Sequence, residues 1–316
     1  VPAAVDALAR DPQLRIVLVG LTDAIQAQLK GGAQVFGERL AVRGASQVVT
    51  MDEKPQDALR KKKDSSMRVA IDLVKAGEAD ACVSAGNTGA LMATARFVLK
   101  TVEGIDRPAI ISRIRARHGH THMLDLGANS ECTAEHLFQF AVMGSVVAAD
   151  MHGIVSPRLG LLNIGEEEMK GDGVVQEAAR LLSASKLNYI GFVEGDDIFS
   201  GEVDVIVTDG FTGNVALKSI EGLANMVVSA IKAEYTRNPL RYLGALASWP
   251  ALRSLRREFD PRTYNGASMV GLAGVVIKSH GSADVLSFGN AIRVAQIEAQ
   301  KGVPTQISNL LRAQAN

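Results

Sequence analysis

The sequence predicts an α/β protein: a mostly parallel sheet flanked by helices, Rossmann-like or phosphotransacetylase-like, with an amphipathic helical excursion. Three observations carry that expectation. Short β-branched apolar runs alternate with Ala- and Leu-rich helical stretches. Turns of Gly, Asn, Ser, Thr and Asp stand between each run and the helix after it, the punctuation of βαβ units. The 316 residues are 47% hydrophobic and 22% charged, a mixture that supports a large core and excludes disorder, collagen and coiled coil.

The chain opens on a helical pattern, VPAAVDALARD, and enters a first strand at Ile16–Val19. Further strands are read at Ala81–Ser84, Met123–Leu126, Leu159–Asn163, Tyr189–Val193, Val203–Thr208 and Val275–Ser279, and helices fill most of the gaps. Right-handed crossovers place the loops after parallel strands at one edge, so the polar motifs there are expected to converge. From Lys232 to Arg262 the rhythm breaks. Leu240, Tyr242, Leu243, Leu246, Trp249, Leu252 and Leu255 interleave with Arg237, Arg241, Arg253, Arg256 and Arg257, as in an amphipathic helical excursion off the sheet. The expectation is one two-lobed α/β domain over residues 1–316 with that excursion at about 232–262.

Thirty-four basic and thirty-four acidic residues cancel, which removes the global field of a nucleic-acid binder. Cys82 and Cys132 lack C-x-x-C spacing and read as reduced, non-nucleophilic thiols of a cytoplasmic protein. Apolar stretches such as Met269–Ile277 have about half of the roughly 18 residues that a membrane span needs.

Four loops after strands carry chemistry. Ser84-Ala85-Gly86-Asn87-Thr88-Gly89 leads from a strand into a helix, so amides at the helix start can cradle an anion, with Gly86 and Gly89 allowing close approach and Asn87 and Thr88 adding donors. Asp209-Gly210-Phe211-Thr212-Gly213-Asn214 repeats that logic. Neither matches a P-loop, and no dinucleotide fingerprint follows Val19. The third loop, Asn163 to Asp172, sets Glu166, Glu167 and Glu168 around Lys170. The fourth, Lys278-Ser279-His280-Gly281-Ser282, puts an imidazole at a strand end, a candidate acid or donor. His118, His120 and His122 lack a nearby carboxylate or cysteine and read as a solvent-facing edge or turn. Asp125 to Asn129 ends another strand, and Thr133, Glu135 and His136 after it could line the pocket mouth.

Together these residues resemble the bacterial fatty acyl-acyl-carrier-protein:phosphate acyltransferases, the PlsX family. The resemblance rests on MDEKPQDALRKKKDSSM (51–67), SAGNTGALMA (84–93), GIDRPA (104–109), LDLGAN (124–129), GLLNIGEEEMKG (160–171), TDGFTGNVALK (208–218) and NGASMVGLAGVVIKSHG (265–281), in order over nearly the whole chain. It implies a transferase in which inorganic phosphate attacks the thioester of a long-chain acyl-acyl carrier protein, giving acyl phosphate for phospholipid synthesis. It also implies a phosphotransacetylase-like, more distantly isocitrate-dehydrogenase-like fold, a homodimer, peripheral contact with the cytoplasmic membrane face and a downstream glycerol-phosphate acyltransferase as partner. No metal, nucleotide or other cofactor is expected. The family pattern opens with a strand and a D-A-M-G-G-D type segment that lies ahead of the point where this sequence starts. SRIRARHGHT (112–121) departs from the family's proline-threonine turn, and Ser130 replaces an apolar residue.

Phosphate needs positioning more than activation, since it is already an anionic nucleophile near neutral pH. Ser84, Gly86, Asn87, Thr88, Gly89, Asn129, Asp209, Thr212 and Gly213 are expected to bind phosphate and substrate. Lys170, Asn214 and His280 are the expected catalytic donors to the thioester oxygen or the leaving thiol. An acidic carrier protein, or the membrane, suits Arg60, Lys61, Lys62, Lys63, Arg253, Arg256, Arg257 and Trp249. The alternatives are a phosphotransacetylase acting on acyl-CoA and a non-catalytic lipid-synthesis scaffold.

Overall fold

A computed structural model describes every residue except Gly31, Phe259 and Asn316, and the side chains of all but Ala33, Gln34, His152, Arg256, Arg257, Glu258, Pro261 and Ala315 among the rest. The strands are β1 (Ile16–Gly20), β2 (Leu40–Gly44), β3 (Ala81–Ser84), β4 (Ala109–Arg115), β5 (His120–Leu124), β6 (Leu159–Leu162), β7 (Tyr189–Val193), β8 (Val205–Val207), β9 (Ala267–Val270) and β10 (Val275–Lys278). The helices are α1 (Pro2–Arg10), α2 (Thr22–Leu29), α3 (Pro55–Lys61), α4 (Ser66–Lys75), α5 (Thr88–Leu99), α6 (Ala134–His152), α7 (Gly173–Ser183), α8 (Gly210–Tyr235), α9 (Pro239–Ala247), α10 (Trp249–Glu258), α11 (Val285–Lys301) and α12 (Val303–Ala315). Turn residues start many of these helices. Side chains of Ser65, Asn87, Thr133, Asp172, Asp209, Asn238 and Asp284 each accept a backbone N–H of the first turn, a contact worth about 1 kcal/mol.

β1 and β2 form a small parallel pair, and the other eight strands form one sheet in the order β3-β10-β9-β4-β5-β8-β6-β7. β10 is parallel to β3 and antiparallel to β9; β9 is antiparallel to β4, and β4 to β5. β5, β8, β6 and β7 are mutually parallel. Thus β3, β10 and β4 run one way and the other five strands run the opposite way. The sheet is mostly parallel, as expected, and mixed at its centre, where β4 and β9 carry no turn-to-helix signal; these two strands and β2 lie outside the strands that the sequence pattern predicts. The expectation that all loops after strands share one edge is therefore wrong. The loops after β3 and β10 open at one edge, and those after β5, β6 and β8 at the other.

Core forms on both faces. On one, Phe140, Met143, Leu159, Leu161 and Leu182 pack between the sheet and α6, α7 and α12; on the other, Ile71, Leu91, Met123, Leu126 and Ile206 pack beneath α4, α5 and the first half of α8. α8 therefore runs from the β8 edge back across the face. Its outer half leaves the body with α9 and α10, so the excursion starts earlier than residue 232: Leu223, Met226, Val227, Val228 and Ile231 are already exposed, as are Leu240, Leu243, Leu246 and Trp249. No break signal interrupts the 26 residues of α8. Among the described residues no helix is long and apolar enough to cross a membrane.

Candidate active site

At the first edge β3 and β10 lie side by side with Ser84 opposite Lys278, and the N–H of Ser279 donates to the Ser84 carbonyl at 2.9 Å. The Gly86 N–H donates to Ser84 Oγ at 3.2 Å. Asn87 does not supply the anion donor expected of it. Its Oδ1 accepts the Ala90 N–H at 3.0 Å, and its Nδ2 donates to the carbonyls of Met51 at 2.8 Å and Glu53 at 3.0 Å, pinning the 50–53 loop to the start of α5. Gly86 and Gly89 serve packing too, facing Met67 and Pro55 so closely that a Cβ would stand 2.9 Å from each. Thr88 and Gly89 remain exposed in the first turn of α5, where amides lack intrahelical partners.

His280 stands exposed beside this loop. Its Nδ1 accepts the Ser282 N–H at 3.2 Å and lies 2.7 Å from Ser282 Oγ, a network that assigns the ring proton to Nε2 and leaves Nε2–H as an outward donor. Asn265, not singled out from the sequence, braces the loop. Its Nδ2 donates to Ser279 Oγ at 2.7 Å and to the Ser287 carbonyl at 2.8 Å, and its Oδ1 accepts the His280 N–H at 2.9 Å. Lys278 opens the fourth loop in the sequence, which assigns it no role of its own. It is half-buried, and desolvation and then the Lys218 ammonium hold its own ammonium below the usual lysine range.

The second edge is arranged otherwise. Asp125 is fully buried after β5 and accepts N–H bonds from Ile110 (2.9 Å), Gly127 (3.2 Å), Ala128 (3.0 Å) and Asn129 (2.7 Å), plus the Asn129 side-chain amide (2.9 Å). Burial pushes its carboxyl above the ordinary value while these donors pull it down. All five are donors, the set an ionised carboxylate takes. The side-chain N–H groups of Asn129 are spent here and on the Pro108 carbonyl at 2.8 Å, so they clamp the loop and do not serve as anion donors. Asp209 and Thr212 likewise satisfy each other: Oδ1 accepts the Thr212 N–H at 2.9 Å and Oδ2 the hydroxyl at 2.6 Å. Gly213 is buried, and a Cβ there would stand 1.9 Å from the Asp125 carbonyl oxygen. Its lack of a side chain serves the docking of α8 on the Asp125 loop, not anion approach. Asn214 is exposed over Gly127.

Lys170 lies over Gly165 and pairs with Glu167 at 2.6 Å, a contact that raises its ammonium above the usual range, with Glu194 adding to the effect. It follows β6, five strand steps from β10 and at the opposite edge, about 24 Å away at about 4.8 Å per strand. Lys170 and His280 do not meet within one chain. Thr133 and His136 form a reciprocal cap on α6. His118 sits in an exposed turn as expected, whereas His122 is buried on β5, which corrects the solvent-facing reading. Burial pushes the Cys82 thiol up to about 12 and that of Cys132 to about 11.

Of the basic cluster, Arg60, Lys61 and Lys63 are exposed, with Lys61 paired to Asp57 at 2.8 Å. Lys62 turns inward to the Val48 carbonyl at 2.8 Å and is a brace, not a docking group. Arg253 and Trp249 are exposed; the Arg256 and Arg257 side chains lie outside the described residues.

Strand order and strand-end loops define a phosphotransacetylase-like α/β protein. The fold is similar to that of a phosphotransacetylase from Streptococcus pyogenes (TM-score 0.61, 17% identity, 95% of this chain and 92% of that one) and of the EutD phosphotransacetylase from Staphylococcus aureus (TM-score 0.56, 16% identity, 94% and 99%). The chain belongs to the fatty acid synthesis protein family, whose profile matches residues 1–306. It is similar to proteins named phosphate acyltransferase from Alkalilimnicola ehrlichii (59% identity, 99% of this chain and 91% of that one) and Methylococcus capsulatus (59%, 97% and 91%). The resemblance read from the seven sequence blocks is borne out.

Proposed function

We propose that this phosphate acyltransferase moves a long-chain acyl group from acyl-acyl carrier protein to inorganic phosphate, with the reacting centre at the β3/β10 edge. The observation that carries this reading is the braced Ser84/Lys278–Ser282 edge, where a fixed Nε2–H of His280 and the exposed start of α5 face outward together. A phosphate oxygen attacks the thioester carbonyl carbon. The tetrahedral intermediate collapses with the C–S electron pair leaving on sulfur, and the carrier thiolate, of ordinary thiol pKa near ~8.5, departs or takes a proton. His280 Nε2–H is the fixed donor for the charge developing on oxygen, where one donor is worth about 10²–10³ in rate. Ser84 and the first turn of α5 bind the phosphate. Asn214, over Gly127 at the other edge, and Lys170 are left out of the reacting centre.

Arg60, Lys61, Lys63 and Arg253 suit an acidic carrier protein. The exposed apolar face of α8–α10, with Trp249, suits a homodimer interface or peripheral contact with a cytoplasmic membrane face, where a glycerol-phosphate acyltransferase takes the product. Sedimentation of the chain and flotation with anionic vesicles separate these two uses.

The test is phosphate-dependent release of carrier thiol from palmitoyl-acyl carrier protein, with acyl phosphate trapped as the hydroxamate. Turnover that depends on phosphate supports the reading; carrier binding without turnover supports the scaffold alternative. The phosphotransacetylase fold favours one second reading, turnover of acyl-CoA, and faster use of acetyl-CoA than of palmitoyl-carrier would replace the first.

A further inference from the structure

We propose that Lys278, at the end of β10 beside Ser84 and with the charge of Lys218 on α8 adding to its own, is the seat of the dianionic phosphoryl group, holding inorganic phosphate before attack and the phosphoryl end of the acyl phosphate after it. This rests on the functional reading above and names the groups that recognise the nucleophile.

Lys278 closes β10 in register with Ser84 on one side and Ala267 on the other, so it stands where the β3 and β10 loops open. The ammonium is half-buried and contacts the carbonyl of Ser279. Among the described residues no carboxylate forms an ion pair with it, whereas Lys218 bridges Glu221 at 2.8 Å. The charge that acts on Lys278 most strongly is of its own sign, that of Lys218. A partly desolvated ammonium that lacks a counter-ion is an unfavourable arrangement that an entering anion relieves. A dianion relieves it more than a monoanion, and a tetrahedral oxyanion has oxygens to spare for further donors. The edge supplies these: Ser84 Oγ already accepts from the Gly86 N–H, so its own proton is free to point elsewhere, and Thr88 and Gly89 stand exposed at the start of α5. α8 starts at the far edge of the sheet but crosses its face, with Ala216, Leu217 and Ile220 packed on the same apolar cluster as Val276 of β10, so Lys218 lies on the part of the helix that has left the β8 edge.

The position also sets a pH dependence. The other charged or titratable groups around the edge are Lys218 with its Glu221 on α8 and His280 on the same loop. Lys278 binds phosphate only when protonated, and its pKa is depressed. Affinity for the dianion is thus lost as pH rises through that depressed value, before an ordinary lysine would titrate, and on the acid side it falls as phosphate itself is protonated to the monoanion.

The experiment is steady-state kinetics of the full chain and of Lys278→Met, Lys278→Arg and Lys218→Met, varying inorganic phosphate and palmitoyl-acyl carrier protein separately, with circular dichroism as the folding control. Lys278→Met is expected to raise the phosphate KM about tenfold or more, with the carrier-protein KM unchanged within about twofold. Lys278→Arg should restore most of the phosphate affinity and carry it to higher pH, since a guanidinium stays charged. Lys218→Met, on an exposed helix face that tolerates substitution, should raise the phosphate KM by a smaller factor of about three. An unchanged phosphate KM in Lys278→Met, or an Arg variant that is no better than Met, overturns the inference while leaving the functional reading in place. If the unsubstituted chain shows no phosphate-dependent release, the functional reading falls. Equilibrium dialysis with radiolabelled inorganic phosphate then decides the seat: weaker binding by Lys278→Met supports it, equal binding overturns it.

Discussion

The two edges of the sheet carry nearly the same text, a strand, a Gly-containing turn and a helix, yet they fold into different things. At the β8 edge the donors are already answered from within: the Asp125 carboxylate takes five N–H bonds, Asp209 and Thr212 close on each other, and Gly213 lets α8 sit against the Asp125 loop. At the β3/β10 edge the bracing groups are Asn87 and Asn265, His280 is left exposed, and Lys278 is half-buried with no carboxylate paired to it among the described residues. A turn of this type becomes a ligand site only where no internal carboxylate has taken its place as the anion.

The largest effect that would sharpen this contrast is Asp125→Ala. It strands five N–H donors in a buried site, and a loss of stability on the order of 4 kcal/mol is expected in thermal or urea unfolding; an unfolding midpoint close to that of the unsubstituted chain would show that the β8 edge is not held this way. Next comes Gly213→Ala, whose new methyl meets the Asp125 carbonyl oxygen at 1.9 Å. Since backbone must shift, about 3 kcal/mol is expected from the same measurement, and a neutral result would reopen that glycine to an anion role. Smaller still is Asn265→Ala, expected to cost about 1–2 kcal/mol in stability and, by releasing the His280 loop, to lower kcat by more than it changes the carrier-protein KM.

Much of this was legible from residues alone. Seven strands and the four strand-end loops could be placed because each β-branched run ended at a turn residue before a helical period. What failed was direction. β4 turns through Arg115–His120 into β5, and β9 turns through Gly271 and Gly274 into β10, so neither shows the strand-to-helix signature, and both are antiparallel partners at the sheet's centre. With those two unread, Lys170 and His280 looked like neighbours. Lys278 was hidden for a related reason, since its meaning depends on the register with Ser84 and on the path of α8 across the face, and neither is local in sequence. The roles of Asn87 and Asn129 were misjudged because an exposed-looking amide in a loop gives no sign of the carbonyls folded around it.

The most direct test of the central claim, that the chemistry belongs to the β3/β10 edge, is the phosphate-dependent rate of thiol release from palmitoyl-acyl carrier protein by His280→Ala and Lys170→Ala side by side. His280→Ala is expected to lose about 10²-fold in kcat with its unfolding midpoint unchanged, and Lys170→Ala to stay within about twofold of the unsubstituted rate. A collapse of rate in Lys170→Ala with His280→Ala intact would contradict the account and move the reacting centre to the other edge of the sheet.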